Sequence, residues 1–304
     1  MPSPRAAPWV ELLGGPRLRI RPLGEPWEFQ EAVEVQRRAW EMADYREAAP
    51  AHLLRALADN GGLVLGAFLD GRMVGVSYGW PVRSEYFYSH ATGVDSSVKY
   101  RGIGRALKLE QRRLVIELYG LGLAKWTFDP LQGLNSRFNL LKLGAISREY
   151  YVDYYGEIRD SINAGLGSDR VKAEWHLLSA RVEERVRGRV APDSVAWERL
   201  RGMGAEPAIE FAGDPPRPLG ARLGSPPDIV LVPFPQSISS VRDRSGPGVA
   251  AEWRRATREV YSRLIREGYI LVDSLRRGDM SYNVLWRESL ETVLSGVEPW
   301  RRPG

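Results

Sequence analysis

The segment from residue 61 to residue 119 constrains the fold more than any other part of the chain. Its first part, GGLVLGAFLDGRMVGVSYGWPV, predicts two strands joined by a tight Asp70-Gly71 turn. A third strand, EYFYSHATGVDSS, follows directly. A glycine-rich stretch, YRGIGRALK, then leads into an amphipathic helix that begins near Gly104 and that Gly120 ends. These elements in this order predict a mixed α/β domain.

The rest of the chain continues this alternation of strands and helices. Short alternating or aromatic-rich runs predict strands, and apolar residues at three- to four-residue spacing predict helices. Asn135 or Ser136 is expected to cap a helix that runs through Leu143 and that Gly144 ends. The further predicted strands cover residues 17–24, 124–130, 148–156, 170–178, 228–235, 269–275 and 281–287, and the further predicted helices cover 26–42 and 248–268.

Composition shifts predict four successive parts of the chain. Residues 1–17, rich in Pro and Gly, are expected to form a flexible tail, and residues 18–180 a first α/β domain. Residues 181–227 are charged and then rich in Pro and Gly, which predicts a helical excursion and a linker. Residues 228–304 are expected to form a smaller C-terminal βαββ unit. Its pattern echoes the end of the first domain, through a partial repeat or by chance.

The residue inventory excludes several kinds of site. The chain contains no Cys, which removes disulfides, thiolate nucleophiles and Cys-based metal sites. Its three His residues, His52, His90 and His176, are far apart in sequence and lack helical metal-ligand spacing. We therefore expect no metal.

The net charge and the hydropathy of the chain limit the classes of partner that we expect it to bind. The net charge is +5, and the basic residues are interleaved with acidic ones, so we do not expect nucleic-acid binding. No apolar run reaches membrane-spanning length and the N-terminus does not resemble a signal peptide, so we expect a cytoplasmic protein that binds no membrane.

The glycine-rich stretch before the helix predicts an anion site. The first-turn N–H groups of a helix lack intrahelical acceptors, and the helix dipole also favours negative charge there. Gly102 and Gly104 would leave these amides accessible, although they could instead serve only a tight turn. A dinucleotide fingerprint is excluded, because it would require glycine where Leu107 stands. A ligand that carries phosphate is the expectation.

The element order and this loop resemble the GNAT superfamily of acyl-CoA-dependent N-acyltransferases. The family motif is Arg or Gln, two residues, Gly, one residue, then Gly or Ala, and Arg101, Gly104 and Ala106 match it. The resemblance covers roughly residues 18–180 and implies a GNAT-like mixed central sheet flanked by helices. It further implies that coenzyme A is bound by its pyrophosphate at Arg101, Gly102, Ile103, Gly104, Arg105 and Ala106, and by its pantetheine arm at Thr92, Gly93 and Val94.

The following segment is similar to one branch of that superfamily. The shared elements are WTFDPL at Trp126–Leu131, N-x-x-F-N at Asn135–Asn139 and KLGA at Lys142–Ala145, followed by Tyr155-Gly156 and Ser168–Arg170. Relatives in this branch are linked with N-succinyl amino acid metabolism. The resemblance therefore implies acetyl-CoA or succinyl-CoA as co-substrate.

Amide formation from a thioester requires a base for the amine, stabilisation of the oxyanion and a proton for the thiolate. His90 is the first candidate base, and the alternative is an inert His packed in a strand. Asp129 could act as a base or bind the amine, or could only cap the backbone before Pro130. The tyrosine that many GNAT enzymes use as acid would fall near Leu140, so Tyr155 is the replacement candidate among the tyrosines that follow.

The remaining candidates would bind substrate or coenzyme A. Asn135 could contact coenzyme A, and Arg137, Asn139 and Arg170 could bind an acceptor or a succinyl carboxylate. Surface ion pairing is the alternative for each arginine. The sequence therefore predicts direct acyl transfer, in a ternary complex, to a primary amine of a small metabolite such as an amino acid. A non-catalytic acyl-CoA-binding module is the competing hypothesis, and a homodimer is left open.

Overall fold

The computed structural model describes residues 9–11, 17–42, 44–98, 102–156, 167–222 and 224–297. The strands are β1 (Trp9–Glu11), β2 (Arg17–Pro22), β3 (Leu63–Leu69), β4 (Arg72–Val82), β5 (Tyr86–Val94), β6 (Leu123–Phe128), β7 (Ile146–Tyr151), β8 (Arg170–His176), β9 (Glu206–Pro207), β10 (Ile209–Ala212), β11 (Arg217–Ala221), β12 (Ile229–Pro235), β13 (Ile270–Arg277) and β14 (Met280–Trp286). The helices are α1 (Pro26–Trp40), α2 (Ala51–Asp59), α3 (Ile103–Tyr119), α4 (Gly133–Ser136), α5 (Ala180–Val186), α6 (Asp193–Gly202), α7 (Ile238–Ser245), α8 (Pro247–Arg266) and α9 (Leu290–Leu294).

The chain divides into a first unit, Met1–Lys125, and a second unit, Trp126–Gly304. Both units contain strands covered by helices, which confirms the predicted α/β class. The boundaries that the sequence suggested, after residues 180 and 227, lie within the second unit.

Antiparallel neighbours make up most of the sheet in the first unit. Its strands follow the order β1-β2-β3-β4-β5, and β5 then pairs with β6 in parallel. The predicted hairpin forms at Asp70 and Gly71, both with positive φ, which suits the twist of the flanking strands. Helix α1 starts at Pro26, where the buried Glu28 carboxylate accepts the Gly24 and Glu25 N–H groups and pairs with Arg21.

Two helices cover opposite faces of β4 and β5. Tyr78 faces α1, where its hydroxyl donates to Gln36, whereas its neighbour Ser77 accepts from Gln111 of α3. Since successive strand residues point to opposite faces, α1 and α3 lie on different sides of the sheet. A hydrophobic core on the α1 side includes Phe29, Leu54 and Tyr78.

The sheet of the second unit follows the order β8-β7-β13-β14-β12-β9. All of these neighbours pair antiparallel except β12 and β9, which pair in parallel. Helix α5 is anchored by two buried arginines: Arg181 donates to the Gly144 carbonyl at 3.1 Å, and Arg185 pairs with Asp273 at 2.5 Å. Helix α8 places Trp253, Val260 and Leu264 in the core, as its spacing predicts.

Three predicted segments differ from the structure, because local backbone pairing or a side-chain contact with the backbone forms where composition suggested a tail, a linker or a helix cap. In the predicted tail, β1 pairs with β2. In the predicted linker, β10 and β11 form a hairpin. Asn135 does not cap a helix: α4 begins at Gly133, after Asp129 accepts the Leu131 N–H group and turns the chain, and a π-helical turn follows at Arg137–Lys142.

Candidate functional site

A β-bulge at His90 interrupts β5. Tyr78 pairs with Ala91 and Gly79 pairs with Ser89, so β5 contains one residue more than β4 at this point and His90 has no partner residue in β4. A bulge bends a strand and redirects the side chain of the extra residue. The predicted base therefore lies at the one irregular position of this strand pair.

The other edge of β5 is paired only at its start. The ladder between β5 and β6 joins Phe87 to Ala124 and Tyr88 to Lys125. Within the described residues of the first unit, it extends no further along β5. The backbone of residues 89–94, which includes Thr92, Gly93 and Val94, thus presents a strand edge on which an extended ligand could form hydrogen bonds.

Helix α3 begins near Val94, the last residue of β5. Gly102, the N-cap residue, adopts φ of 82°, a left-handed conformation, and as a glycine it has no side chain to cap the first turn. Among the described residues, a Cβ on Gly104 would have only Val94 Cγ2 within 4 Å, at 3.6 Å. The N–H groups of Ile103 and Gly104 belong to this first turn, so the predicted anion site has the geometry of a helix N-terminus. Arg101 lies outside the described residues.

His90 is surrounded by aromatic rings. Its ring centroid lies 5.4 Å from that of Tyr78, 5.5 Å from that of Trp80 and 6.0 Å from that of Tyr88. The side chain reaches solvent, yet desolvation by these rings lowers its pKa below 6.5. His90 is therefore neutral at pH 7 and able to accept a proton.

A buried hydrogen-bond chain lies beneath the bulge, on the α3 side. Lys108 Nζ donates to Ser89 Oγ and to Gln111 Oε1, both at 2.9 Å. Gln111 Nε2 donates to Ser77 Oγ at 3.0 Å, and Ser77 hydrogen-bonds Thr92 Oγ1 at 2.8 Å. Ser89 and Thr92 flank the bulge, so this chain holds β5 on both sides of His90.

Sequence reasoning missed the bulge and this chain. No local pattern signals the bulge. The sequence did contain a signal that Lys108 and Gln111 are buried. They fall at helical spacing between Leu107 and Leu114, on the face of α3 that packs on the sheet.

Asp129, in the second unit, belongs to a buried ion pair. Its two carboxylate oxygens accept from Arg254 of α8 at 2.9 and 2.6 Å, and both side chains are about 4% exposed. Such a bidentate pair engages both oxygens. This geometry supports a structural role for Asp129.

Tyr155 and Arg170 lie together in the second unit. Tyr155 is exposed in the turn after β7, outside the strand in which it was predicted, and its hydroxyl hydrogen-bonds Thr127 Oγ1 at 2.8 Å. The Arg170 guanidinium lies 5.4 Å from the Tyr155 ring centroid. The Arg170 side chain also donates to the Asp169 carbonyl, which fixes its direction.

A network of charges adjoins this pair. Asp169 accepts from Tyr150 Oη at 2.5 Å and from Arg258 at 2.7 and 2.8 Å. Burial alone would raise the pKa of Asp169, but these hydrogen bonds outweigh burial and lower it. Burial and the Asp169 charge raise the pKa of Tyr150. Tyr150 is thus a poor proton donor.

The structure brings together two of the other candidates, Asn135 and Asn139. Asn139 Nδ2 donates to Asn135 Oδ1 at 2.9 Å, and Asn139 Oδ1 accepts from Trp126 Nε1 at 3.2 Å. Arg137 instead pairs with Asp193 of α6 at 2.8 Å. Asn135 is exposed, whereas Asn139 is buried.

The described residues contain no group of three or more His, Asp or Glu side chains placed to hold a metal ion. Over the same residues, every helix is too short or too polar to cross a membrane.

The chain is similar in structure to known proteins. No protein-family model matches the chain, and no curated protein matches it. Several solved structures are similar over part of its length. Two of the three described next are acetyltransferases.

The ribosomal-protein-S18-alanine N-acetyltransferase from Escherichia coli is 15% identical, covers 53% of this chain and 94% of its own, and has a TM-score of 0.43. The aminoglycoside 6'-N-acetyltransferase from Enterococcus faecium is 14% identical, with coverages of 52% and 97% and a TM-score of 0.41. Ard1 from Thermoplasma volcanium is 15% identical, with coverages of 52% and 95% and a TM-score of 0.40.

Proposed function

We propose that this protein is a GNAT-type N-acyltransferase that transfers an acyl group from acyl-CoA to a primary amine of a small metabolite such as an amino acid. This proposal is supported by three features of the first unit: the bulge at His90, the open edge of β5 that follows it, and the N-terminus of α3 at Gly102. The end of β5 lies near that N-terminus, since a Cβ on Gly104 would be 3.6 Å from Val94 Cγ2. A strand edge suits the amides of a pantetheine arm, and a helix N-terminus suits a pyrophosphate. Residues 102–106 and Thr92, Gly93 and Val94 would thus bind coenzyme A, whose thioester supplies an activated acyl carbon.

The bulge provides the base and a place for the oxyanion. Neutral His90 accepts a proton from the acceptor amine, whose nitrogen then attacks the acyl carbon. N–H groups of the irregular backbone at the bulge stabilise the oxyanion that forms. When the carbon–sulfur bond breaks, the thiolate takes a proton, and Tyr155 is the candidate donor. The amine attacks directly, because this route needs no covalent enzyme intermediate.

The roles of the polar residues in the second unit follow from their contacts. Arg170, oriented by the Asp169 carbonyl and the Tyr155 ring, would bind a carboxylate through its guanidinium group, and Arg137, which pairs with Asp193, is the second candidate. Asn135 and Asn139 form a second polar pair for substrate or coenzyme A. A carboxylate-binding Arg170 would suit a succinyl donor or an amino acid acceptor, and acetyl-CoA is the other donor. A cytoplasmic location, where acyl-CoA is available, is part of the same proposal.

Calorimetric titration with CoA, acetyl-CoA and succinyl-CoA tests the cofactor site. Gly104→Asp places a carboxylate at the first turn of α3 where the free protein has room for it. At about 5 Å from a phosphate and an effective dielectric constant of about 20, the repulsion is about 3 kcal/mol, so binding should weaken about 100-fold. Gly104→Asn, with the same shape and no charge, is the matched control and should weaken binding less.

Release of free CoA in the presence of an amine panel tests the reaction. Amine-dependent release supports an enzyme, whereas binding of acyl-CoA with no release from any amine supports the alternative, a non-catalytic acyl-CoA-binding module. If the folded wild-type protein binds none of the three thioester-related ligands, both hypotheses fail.

A further inference from the structure

The bulge groups four side chains at one end of the α1 face of the first unit. We call Tyr78, Trp80, Tyr88 and His90 the His90 cluster. Trp80 and Tyr88 are cross-strand partners, and Tyr78 lies two residues before Trp80 on β4. Partners and alternate residues share a face of the sheet. The bulge turns His90 toward the same face, where its ring stacks against Trp80 with an interplanar angle of 29°.

The His90 cluster is graded from buried to exposed. Tyr78 is 5% exposed and belongs to the hydrophobic core, where its hydroxyl donates to Gln36. Trp80 and Tyr88 are half-buried and His90 is exposed. Tyr78 thus forms the inner end of the cluster, while the other three rings reach the surface. A cluster that only packed the core would have no reason to present His90 and its neighbours to solvent.

Aromatic rings favour two kinds of ligand group. Their faces attract an ammonium group, and they provide a flat apolar contact for another ring or a branched alkyl group. The neutral His90 imidazole within the same cluster accepts a hydrogen bond or a proton from an amine. An amine that is linked by a short chain to an apolar group can make all three interactions: with a ring face, with the apolar surface of the rings and with the imidazole.

We propose that the His90 cluster binds the acceptor, and that the acceptor is a primary amine joined by a short chain to an aromatic or branched apolar group. This inference rests on the proposed function, since it assigns the substrate class of the same reaction. The amine contacts His90, and the apolar group packs against the solvent-facing sides of Trp80 and Tyr88, whose ring centroids lie 5.2 Å apart and leave no space for a group between them. Amines with only a polar or acidic substituent make no apolar contact with these two rings and bind more weakly.

Binding measured without acyl-CoA separates this inference from the transfer reaction. The probes are 2-phenylethylamine, ethanolamine and 3-aminopropanoate, titrated by NMR into the full-length protein. We expect 2-phenylethylamine to bind about tenfold more tightly than the other two, because only its ring can make an aromatic and apolar contact with Trp80 and Tyr88, whereas all three probes carry the same ammonium group. The preference should disappear in Trp80→Ala and persist in Trp27→Ala, which removes a tryptophan that is 56% exposed on α1. Tyr88→Leu is the second variant if circular dichroism shows that Trp80→Ala does not fold.

Each outcome distinguishes the two proposals. Equal affinity for the three amines, or a preference that survives in both Trp80→Ala and Tyr88→Leu, overturns the inference. Acylation of 3-aminopropanoate as efficiently as of 2-phenylethylamine also overturns it and leaves the proposed function standing. Selective binding of 2-phenylethylamine without CoA release from any amine supports the cluster as an amine site and overturns the transfer reaction.

Discussion

Lys108 makes the stability of the protein depend on pH in a way that can be calculated from its surroundings. The side chain is 3% exposed on the inner face of α3, and its Nζ donates to the neutral groups Ser89 Oγ and Gln111 Oε1. Burial lowers its pKa from 10.5 to about 7, because the charged form loses its hydration. Unfolding restores the hydration and with it the ordinary pKa.

Between these two pKa values the unfolded chain holds a proton that the folded chain lacks. The free energy of unfolding therefore rises with pH across this window. At about 1.36 kcal/mol per pH unit, the gap between 10.5 and about 7 corresponds to about 5 kcal/mol in total. Half of the folded molecules still carry the proton at pH 7, so the gain between pH 7 and pH 9 is about 2 kcal/mol.

Urea unfolding of the wild type and of Lys108→Met at pH 7, 8 and 9 measures this contribution. Methionine has a similar length and no titrating group, so the difference between the two proteins isolates Lys108. The wild type should gain about 2 kcal/mol relative to the variant from pH 7 to pH 9. Lys142→Met, which removes an exposed lysine, controls for the loss of a lysine as such. If the wild-type and Lys108→Met curves run parallel over this range, Lys108 is charged in the folded protein and the reasoning is wrong.

Three further predictions concern the other candidate residues. His90→Gln should lower kcat at least about 100-fold, and an unchanged kcat would exclude His90 as the base. In the wild type, kcat/KM should rise with pH through a pKa below 6.5 and then stay level. In urea unfolding, Asp129→Ala should lower the free energy of unfolding by about 3–5 kcal/mol, because it leaves Arg254 buried without its partner. An additional Arg254→Met should recover part of this loss, and a loss below about 1 kcal/mol in the single variant would contradict the buried pair. Tyr155→Phe should lower kcat at least about tenfold while changing the free energy of unfolding by less than about 0.5 kcal/mol, since the side chain is exposed; unchanged turnover would assign the acid elsewhere.

Local signals in the sequence predicted most of the elements around the candidate site. The Asp70-Gly71 turn forms as expected because both residues tolerate positive φ, and the two flanking strands then pair by proximity. Helix α3 ends at Gly120 because glycine adopts the left-handed conformation there without a steric cost. These features depend on a few adjacent residues, so a short stretch of sequence is sufficient to predict them.

Contacts between distant parts of the chain were not predictable in the same way. Asp129 follows a strand and precedes a proline, a context that suggests a backbone cap, and only the fold shows that Arg254 occupies its carboxylate. Asn135 was expected to cap a helix, but the chain turns earlier, at Asp129. The contact of Asp129 with Arg254 joins residues 125 positions apart, so no local pattern records it, whereas the contact of Asp129 with the Leu131 N–H group is a backbone cap of the kind that the sequence suggested.

The sequence by itself determined the α/β class, the order of the elements and the glycine-rich start of α3, since periodicity, turn residues and helix-ending glycines act over a few neighbouring positions. Only the tertiary structure decided that β5 carries a bulge at His90, that Lys108 is buried beneath it, and that aromatic rings of two strands surround the imidazole. The register of β4 against β5 and the packing of α3 on the sheet create these features. Both depend on how whole elements fit together, because a strand pair accommodates an extra residue wherever the side chains on its two faces pack best.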